Sequence, residues 1–380
     1  MILDILERLI GFETTNDRSN LPLIGYIEDF LTQRGFRVTR VTDPGGDKAG
    51  LFAQIGPEGD GVLLSAHTDV VPVAGQVWTR DPFRLTREGN RLYGRGTTDM
   101  KGFLAAMLVA ADHAAKRPLK EPLKLAISYD EEIGCVGMAR MIDALVPAIG
   151  RPRACIVGEP TDMQVAIGHK GKRAFRAVCH GQSGHSALAP QFVNALHLAG
   201  DFMAALRDIQ GDLATQGARD AGYGVPYSTV HVGVLSGGTA LNIVPDRAEL
   251  AFEFRHLAAD APDDLQDWIE TAAAQVAGRY RAAFPDARIE IIPGSSYPGL
   301  DTAPDAEVTK LAQSWAHSNA VTKVAFGTEA GFFDALGIPA VVCGPGSMEG
   351  QGHKPDEYIT LSQLNACQAM LARVLDSIRA

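Results

Sequence analysis

Five short stretches of the chain concentrate imidazole and carboxylate side chains. GVLLSAHTDVVP carries His67 and Asp69, RLYGRGTTDMKG carries Asp99, and LKLAISYDEEIG carries Glu131 and Glu132. ACIVGEPTD carries Glu159, and GPGSMEGQGHKPDEY carries His353. Zinc accepts His nitrogen and carboxylate oxygen. Two divalent ions ~3.5–4 Å apart are joined by a shared carboxylate and a water or hydroxide. Asp99 suits the shared role, with His67 and Glu159 completing one position and Glu132 and His353 the other. The adjacent pair then divides its labour: Glu132 is a ligand, while Glu131 takes a proton from water and returns it to a leaving nitrogen. Asp69 lies two residues after His67, on the same strand face, where it could accept the free imidazole N–H and fix the tautomer. Each stretch alone has a plainer reading. His67 could be a hydrogen-bonded core histidine, DEE a solvated charge run, GEP a turn, and Asp99 the N-cap of a helix. It is their joint occurrence that points to a site.

The elements around these residues supply that joint argument. Helical spacing covers roughly 2–11 and 20–34. FRVTRV, LFAQIG and GVLLSA then read as strands, KGFLAAMLVAADHAAK as a helix, and LKLAISY and ACIVG as buried strands. This alternation predicts an α/β fold with a mixed, largely parallel sheet flanked by helices. Open α/β sheets place their sites at the carboxyl ends of strands, where these motifs fall. The first three are spaced by roughly thirty residues, about one strand–helix crossover, so successive crossovers carry them to a common rim. After about residue 170 the pattern changes. GKRAFRAVCHG, a helix over 191–209, STVHVGVL, RAELAFEFRHL, a helix over 262–283 and ARIEIIPG give a β-α-β-β-α-β order, that of a ferredoxin-like α+β insert. The expected division is a catalytic metal-binding domain over 1–170 and 288–380 and an inserted lid and dimerisation domain over 171–287. A helix over 303–318, the strand PAVVCG and a helix over 361–378 complete the first.

Composition narrows the function classes. The chain has 380 residues, 46% of them hydrophobic and 21% charged, with a formal net charge of −10, which disfavours a general nucleic-acid binder. No apolar run reaches the ~18 residues of a membrane span. MILDILERLIGF lacks an uninterrupted apolar core of the kind a signal peptide needs. The five cysteines contain no CxxC pair, so a disulfide framework is not expected and buried, inert thiols are. These features point to a cytoplasmic enzyme.

The set SAHTDVVP, GRGTTDMKG, DEE, GEPT and HKPDEY resembles the acetylornithine deacetylase and succinyl-diaminopimelate desuccinylase family of dinuclear metallopeptidases, which includes aminoacylases and carboxypeptidases. The resemblance spans essentially the whole chain. It implies a zinc-exopeptidase-like catalytic domain with an inserted domain, and a homodimer formed through that insert. It implies two divalent ions per subunit, zinc or cobalt, on His67, Asp99, Glu132, Glu159 and His353, with Glu131 as the base and a cis Asp99–Met100 peptide. In GQSGHSA it implies that His185, supplied by a partner subunit, steadies the oxyanion. In LAFEFRH it implies that Arg255 forks onto a substrate α-carboxylate; a surface strand arginine is the plainer alternative. Asn242, in the glycine-rich SGGTALNIVPD, could hydrogen-bond substrate. FGTEAGFF and VVCGPGSMEGQGHKPDEY resemble the acetylornithine deacetylase branch. Glu329 in the former could pair with a substrate ammonium or simply favour a helix first turn. The implied reaction is hydrolysis of an N-acyl amino acid, N2-acetyl-L-ornithine first, in arginine biosynthesis. Succinyl-diaminopimelate, another N-acyl amino acid or a dipeptide remain alternative substrates, and a non-catalytic metal-binding relative the alternative class.

Overall fold

A computed structural model describes all residues, 1–380. The chain forms two compact units, Met1–His169 with Leu300–Ala380, and Lys170–Gly299.

The first unit is built on a nine-stranded sheet. Its centre is four parallel strands, in the order Leu123–Ser128, Val62–His67, Ala154–Pro160 and Ala340–Gly344. Every residue of these four strands is buried. Sheets covered on both faces need such unbroken apolar runs. Alternate residues feed two separate cores. Leu64, Leu125, Ile156 and Val341 pack under the helices Ile2–Ile10, Lys101–Ala114 and Leu361–Ile378. Leu63, Ala126, Cys155 and Val342 pack on the other face with Met138, Leu145 and Phe333. Lys101–Ala114 is buried along almost its whole length, as its sequence, apolar nearly all round, requires. At one margin Arg37–Thr42 pairs antiparallel with Ala49–Ile55, which pairs antiparallel with Leu123–Ser128; at the other, Val165–His169 pairs antiparallel with Leu300–Asp301 and parallel with Val321–Val324. The sheet is thus mixed and parallel at its centre, as expected. No helix is long and apolar enough to cross a membrane.

The second unit has a four-stranded antiparallel sheet in the order Thr229–Gly237, Arg247–His256, Gly171–His180, Arg288–Tyr297. With Ala195–Gln216 and Pro262–Tyr280 this gives the β-α-β-β-α-β connection of a ferredoxin-like fold. Both helices press on one face of the sheet, around Phe175, Phe202, Phe252 and Phe254. The unit runs to Gly299 rather than ending at 287. Arg288–Tyr297 is its edge strand, laddered to Gly171–His180 from Arg288↔His180 to Tyr297↔Lys172.

Candidate metal centre

The strand Val62–His67 ends on His67, and Leu123–Ser128 and Ala154–Pro160 deliver Glu131, Glu132 and Glu159 at the same rim. Asp99 comes from the turn before Lys101–Ala114, and its bond to Met100 is cis. His353 comes from the loop after Ala340–Gly344. His67 Nε2 is 3.1 Å from Asp99 Oδ1 and 3.6 Å from Glu159 Oε1. His353 Nε2 is 3.1 Å from Asp99 Oδ2 and 2.9 Å from Glu132 Oε2. Asp99 therefore turns one carboxylate oxygen to each imidazole, the placement a shared carboxylate needs. Ligand atoms of His67, Asp99 and Glu132 lie within 4.8 Å of one another, and so do those of His67, Glu131 and Glu159.

Two observations test whether this set fits divalent ions. Glu132 Oε1 and Glu159 Oε1 are sealed from solvent and accept no hydrogen bond, a costly state for a carboxylate without a cation. The site also gathers four carboxylates around two imidazoles. Burial pushes the Glu131 and Glu159 carboxyls well up, and neighbouring carboxylates add to it. Burial with Asp99 carries Glu132 up to about 7. Burial opposes ionisation of Asp99, yet hydrogen bonds from His353 and His67 hold it low. His353 is raised to about 10 by Asp99 and Glu132. Burial disfavours a charged His67, but Glu159, Asp69 and Asp99 raise it well above its ordinary value. Crowded acids that trap protons on imidazoles are what divalent cations would relieve. The donor set and its unsatisfied oxygens fit the metal ions.

The surroundings fix these groups. His67 Nδ1 lies 3.0 Å from the Asp69 carbonyl oxygen and 3.4 Å from its Oδ1. A carbonyl only accepts, so Nδ1 carries the proton and Nε2 faces the carboxylates. The Asp69 carboxylate itself accepts the amides of Glu131 (3.1 Å) and Glu132 (3.0 Å), which holds both glutamates at one turn. The loops are conformationally unusual. Non-glycine residues in the left-handed region include Asp130 and Cys135 beside the glutamate pair, Asp162 and Met163 after Glu159, and His353 and Asp356. Such residues concentrate where surrounding contacts over-determine the backbone.

Several expectations change. All five cysteines are buried and free, but Cys135 is not a bystander: its thiol donates to Glu131 Oε1 at 3.3 Å. Asp356 accepts the Thr79 amide and hydroxyl. Glu329 does not face an open surface. It is 1% exposed, Ser65 Oγ donates to its Oε2 at 3.5 Å, and its Oε1 has no hydrogen-bond partner. The helix Ala330–Ala335 that it precedes packs its Phe333 into the core, which draws Glu329 inward. Two positioning groups escaped the sequence: Cys135, hidden in a turn, and Glu357, four residues after His353. Glu357 Oε1 accepts the amides of Thr98 and Asp99; its place in the acidic pair of HKPDEY is its only signal.

In the second unit, Gly184–His185 pairs with Ile243–Val244, and Ser186 N donates to Asn242 O at 3.1 Å, so His185 and Asn242 are neighbours on exposed backbone. The His185 ring accepts the Ala187 amide through Nδ1. Arg255 is elsewhere. It lies near the far end of Arg247–His256, a strand that spans about 30 Å at ~3.3 Å per residue, and donates to Glu253 Oε1 at 2.9 Å.

Comparison with known proteins agrees with this geometry. Residues 63–377 match the description of Peptidase family M20/M25/M40. The chain is 35% identical to an acetylornithine deacetylase of Myxococcus xanthus over 376 residues, 97% of this chain and 95% of that one. It is 34% identical to an acetylornithine deacetylase of Salmonella heidelberg over 364 residues, 96% of this chain and 92% of that one. Among solved structures, an M20 family metallo-carboxypeptidase from Sulfolobus solfataricus shares the fold, with a TM-score of 0.78, 21% identity and 98% of each chain covered. A tripeptidase from Staphylococcus aureus does so too, with a TM-score of 0.77, 20% identity and 99% and 97% covered. The match along most of the chain, and the identity to relatives over nearly its full length, show that this chain belongs to peptidase family M20/M25/M40 and is a metal-dependent amide hydrolase.

Proposed function

We propose that the chain removes the acetyl group from N2-acetyl-L-ornithine, giving L-ornithine and acetate, as a cytoplasmic step of arginine biosynthesis. The observation that carries the reading is the division of Asp99, with one oxygen to His67 beside Glu159 and the other to His353 beside Glu132. On this reading His67, Asp99 and Glu159 hold one zinc or cobalt ion, and Asp99, Glu132 and His353 the second. When bound, such ions polarise an acyl carbonyl and lower the pKa of a water. The substrate assignment draws on the relatives of 34–35% identity, both acetylornithine deacetylases.

Glu131 is the general base. Burial and the neighbouring carboxylates raise its pKa, and a base of raised pKa is suited to accept a proton and later release it. Its carboxylate takes a proton from water as the water oxygen bonds to the acyl carbon. The same proton passes to the departing nitrogen as the C–N bond breaks. Asp69 keeps Glu131 and Glu132 in place through their amides. His185 donates to the carbonyl oxygen as that atom becomes negative. Arg255 pairs with the α-carboxylate, and Asn242 hydrogen-bonds the substrate. The strand that separates His185 and Asn242 from Arg255 is longer than an N-acyl amino acid, which favours a homodimer in which one subunit supplies His185 to its partner.

The test is a comparison of kcat/KM on metal-reconstituted protein for N2-acetyl-L-ornithine, succinyl-diaminopimelate, other N-acyl amino acids and dipeptides. Acetylornithine is expected to be the best substrate. A higher kcat/KM on any other member of the panel would replace it.

A further inference from the structure

The loop that carries Asp99 and the loop that carries His353 are joined by a polar chain that is buried at its centre and reaches the surface at Gln76. Its centre is Glu357, 1% exposed. Glu357 Oε1 accepts the amides of Thr98 (2.8 Å) and Asp99 (3.2 Å), and Oε2 accepts the Gly96 amide (3.0 Å) and Arg95 Nη1 (2.7 Å). Backbone amides wrapped around one anion in this way form a nest. The Arg95 guanidinium is itself buried, and its Nη2 donates to Gln76 Oε1. Gln76 Nε2 donates to the His353 carbonyl at 3.1 Å, and Arg95 Nη1 also reaches the Lys354 carbonyl at 3.4 Å. The chain therefore runs from the Asp99 amide through Glu357, Arg95 and Gln76 to the His353 backbone.

His353 needs such support. Its φ is +59° and its side chain is 44% exposed, whereas the His67 and Glu159 side chains are buried at strand ends. The direction of its ring depends on a backbone that no strand holds.

We infer that Glu357 is a positioning residue that, through Arg95 and Gln76, sets His353 against Asp99 and so builds the metal position on the Glu132 side. The inference rests on the reading of Asp99 and His353 as ligands. Glu357 touches neither ligand side chain: it meets Asp99 at its backbone amide and reaches the His353 backbone through the Arg95 and Gln76 side chains. An amide in its place keeps one acceptor oxygen for Thr98 and Asp99 but turns an NH2 toward the Gly96 amide and Arg95, so donors face donors.

The experiment titrates cobalt(II) into the full-length metal-free protein, following ions bound per chain and the visible absorption of cobalt. Wild type is expected to bind two ions. Glu357→Gln should weaken the second by ~10–100-fold, the usual cost of losing a group that supports metal ligands, and change only its absorption band. Gln76→Ala leaves the buried Glu357–Arg95 pair in place and should weaken the same ion by a few-fold, so the inference can be judged even if Glu357→Gln does not fold. Equal weakening of both ions in the two variants, or wild-type affinity for both ions in either, overturns it. His353→Ala separates the premise from the inference. If that variant binds two ions with unchanged affinity, His353 is not a ligand and the two-metal reading fails, whatever Glu357 does.

Discussion

The two units carry their candidate residues in opposite physical states. In the first, His67, Asp99 and Glu159 are buried and Glu132 half-buried, and their imidazole and carboxylate atoms interlock with those of His353 at 2.9–3.6 Å. In the second, His185 and Asn242 sit on exposed backbone, and Arg255 is occupied by Glu253 near the far end of a long strand. The candidate metal ligands all lie within the first unit, and on the proposed function the substrate contacts of the second are shared between two copies. The difference follows from chemistry: clustered carboxylates must be fixed and desolvated to hold cations, while groups that meet a diffusing substrate stay open until it arrives.

The strongest test of the first half of this contrast is Glu131→Gln. Removing the general base should lower kcat by ~10²–10⁴-fold while the bound metal, measured by elemental analysis, stays at the wild-type ratio. A parallel loss of metal would make Glu131 a ligand, which its closeness to His67 and Glu159 permits. The second half is tested by His185→Ala, expected to cost ~10²–10³-fold in kcat, as for loss of an oxyanion donor. Mixing that variant with Glu131→Gln should restore activity if His185 acts across a dimer, because about one site in four is intact after random exchange of two-fold dimers. No recovery after proven subunit exchange would place His185 and Glu131 in the same subunit's site.

The same contrast explains what could be read from the sequence. Apolar runs such as AVVCG, and LKLAIS apart from Lys124, mark strands covered on both faces, and the motifs that follow them fall at the sheet rim because crossover chains return there. The alternation in GKRAFRAVCHG and RAELAFEFRHL likewise marks a sheet with one open face. Contacts made by loops across long sequence separations leave no such period. Glu357 reads as one more acidic residue until the backbone of 96–99 wraps around it. Cys135 reads as an inert thiol until a turn closes Glu131 over it, with the Cys135 amide on the Glu131 carbonyl at 2.8 Å. The edge strand is legible, since ARIEIIPG closes the β-α-β-β-α-β order, but nothing periodic marks where the unit ends at Gly299.

A smaller effect concerns protons at the metal centre. Without metal, His353 is raised to about 10 by Asp99 and Glu132, and His67 lies well above its usual range despite burial. The His353 ring is therefore protonated at pH 7, and a metal ion must expel that proton. Apparent affinity should rise with pH, about tenfold per unit for each proton released, and level off only as pH approaches 10. Calorimetric titration in buffers of different ionisation enthalpy counts the protons directly. No net release at pH 7 would mean that the His353 imidazole is already neutral and that the carboxylate cluster is less crowded than its geometry implies.

The smallest effect on turnover is expected at Glu329, and it separates two roles. Burial raises its carboxyl from 4.5 to about 7. A carboxyl whose folded pKa exceeds its unfolded value contributes stability below the unfolded value and loses it as pH rises toward the folded one. In the metal-free wild type, this group should therefore lower the melting temperature between pH 4.5 and 7. Glu329→Gln removes that slope, because an amide stays neutral, and should be the more stable protein above pH 7. Its kcat and KM for acetylornithine should stay within a few-fold of wild type if Glu329 keeps the place it has here, 1% exposed and against Ser65. If instead KM rises for acetylornithine and not for an acyl amino acid without a side-chain amine, the carboxylate reaches the substrate ammonium. The helix Ala330–Ala335 would then have to shift outward in the bound state, because in its present place it holds Glu329 against Ser65.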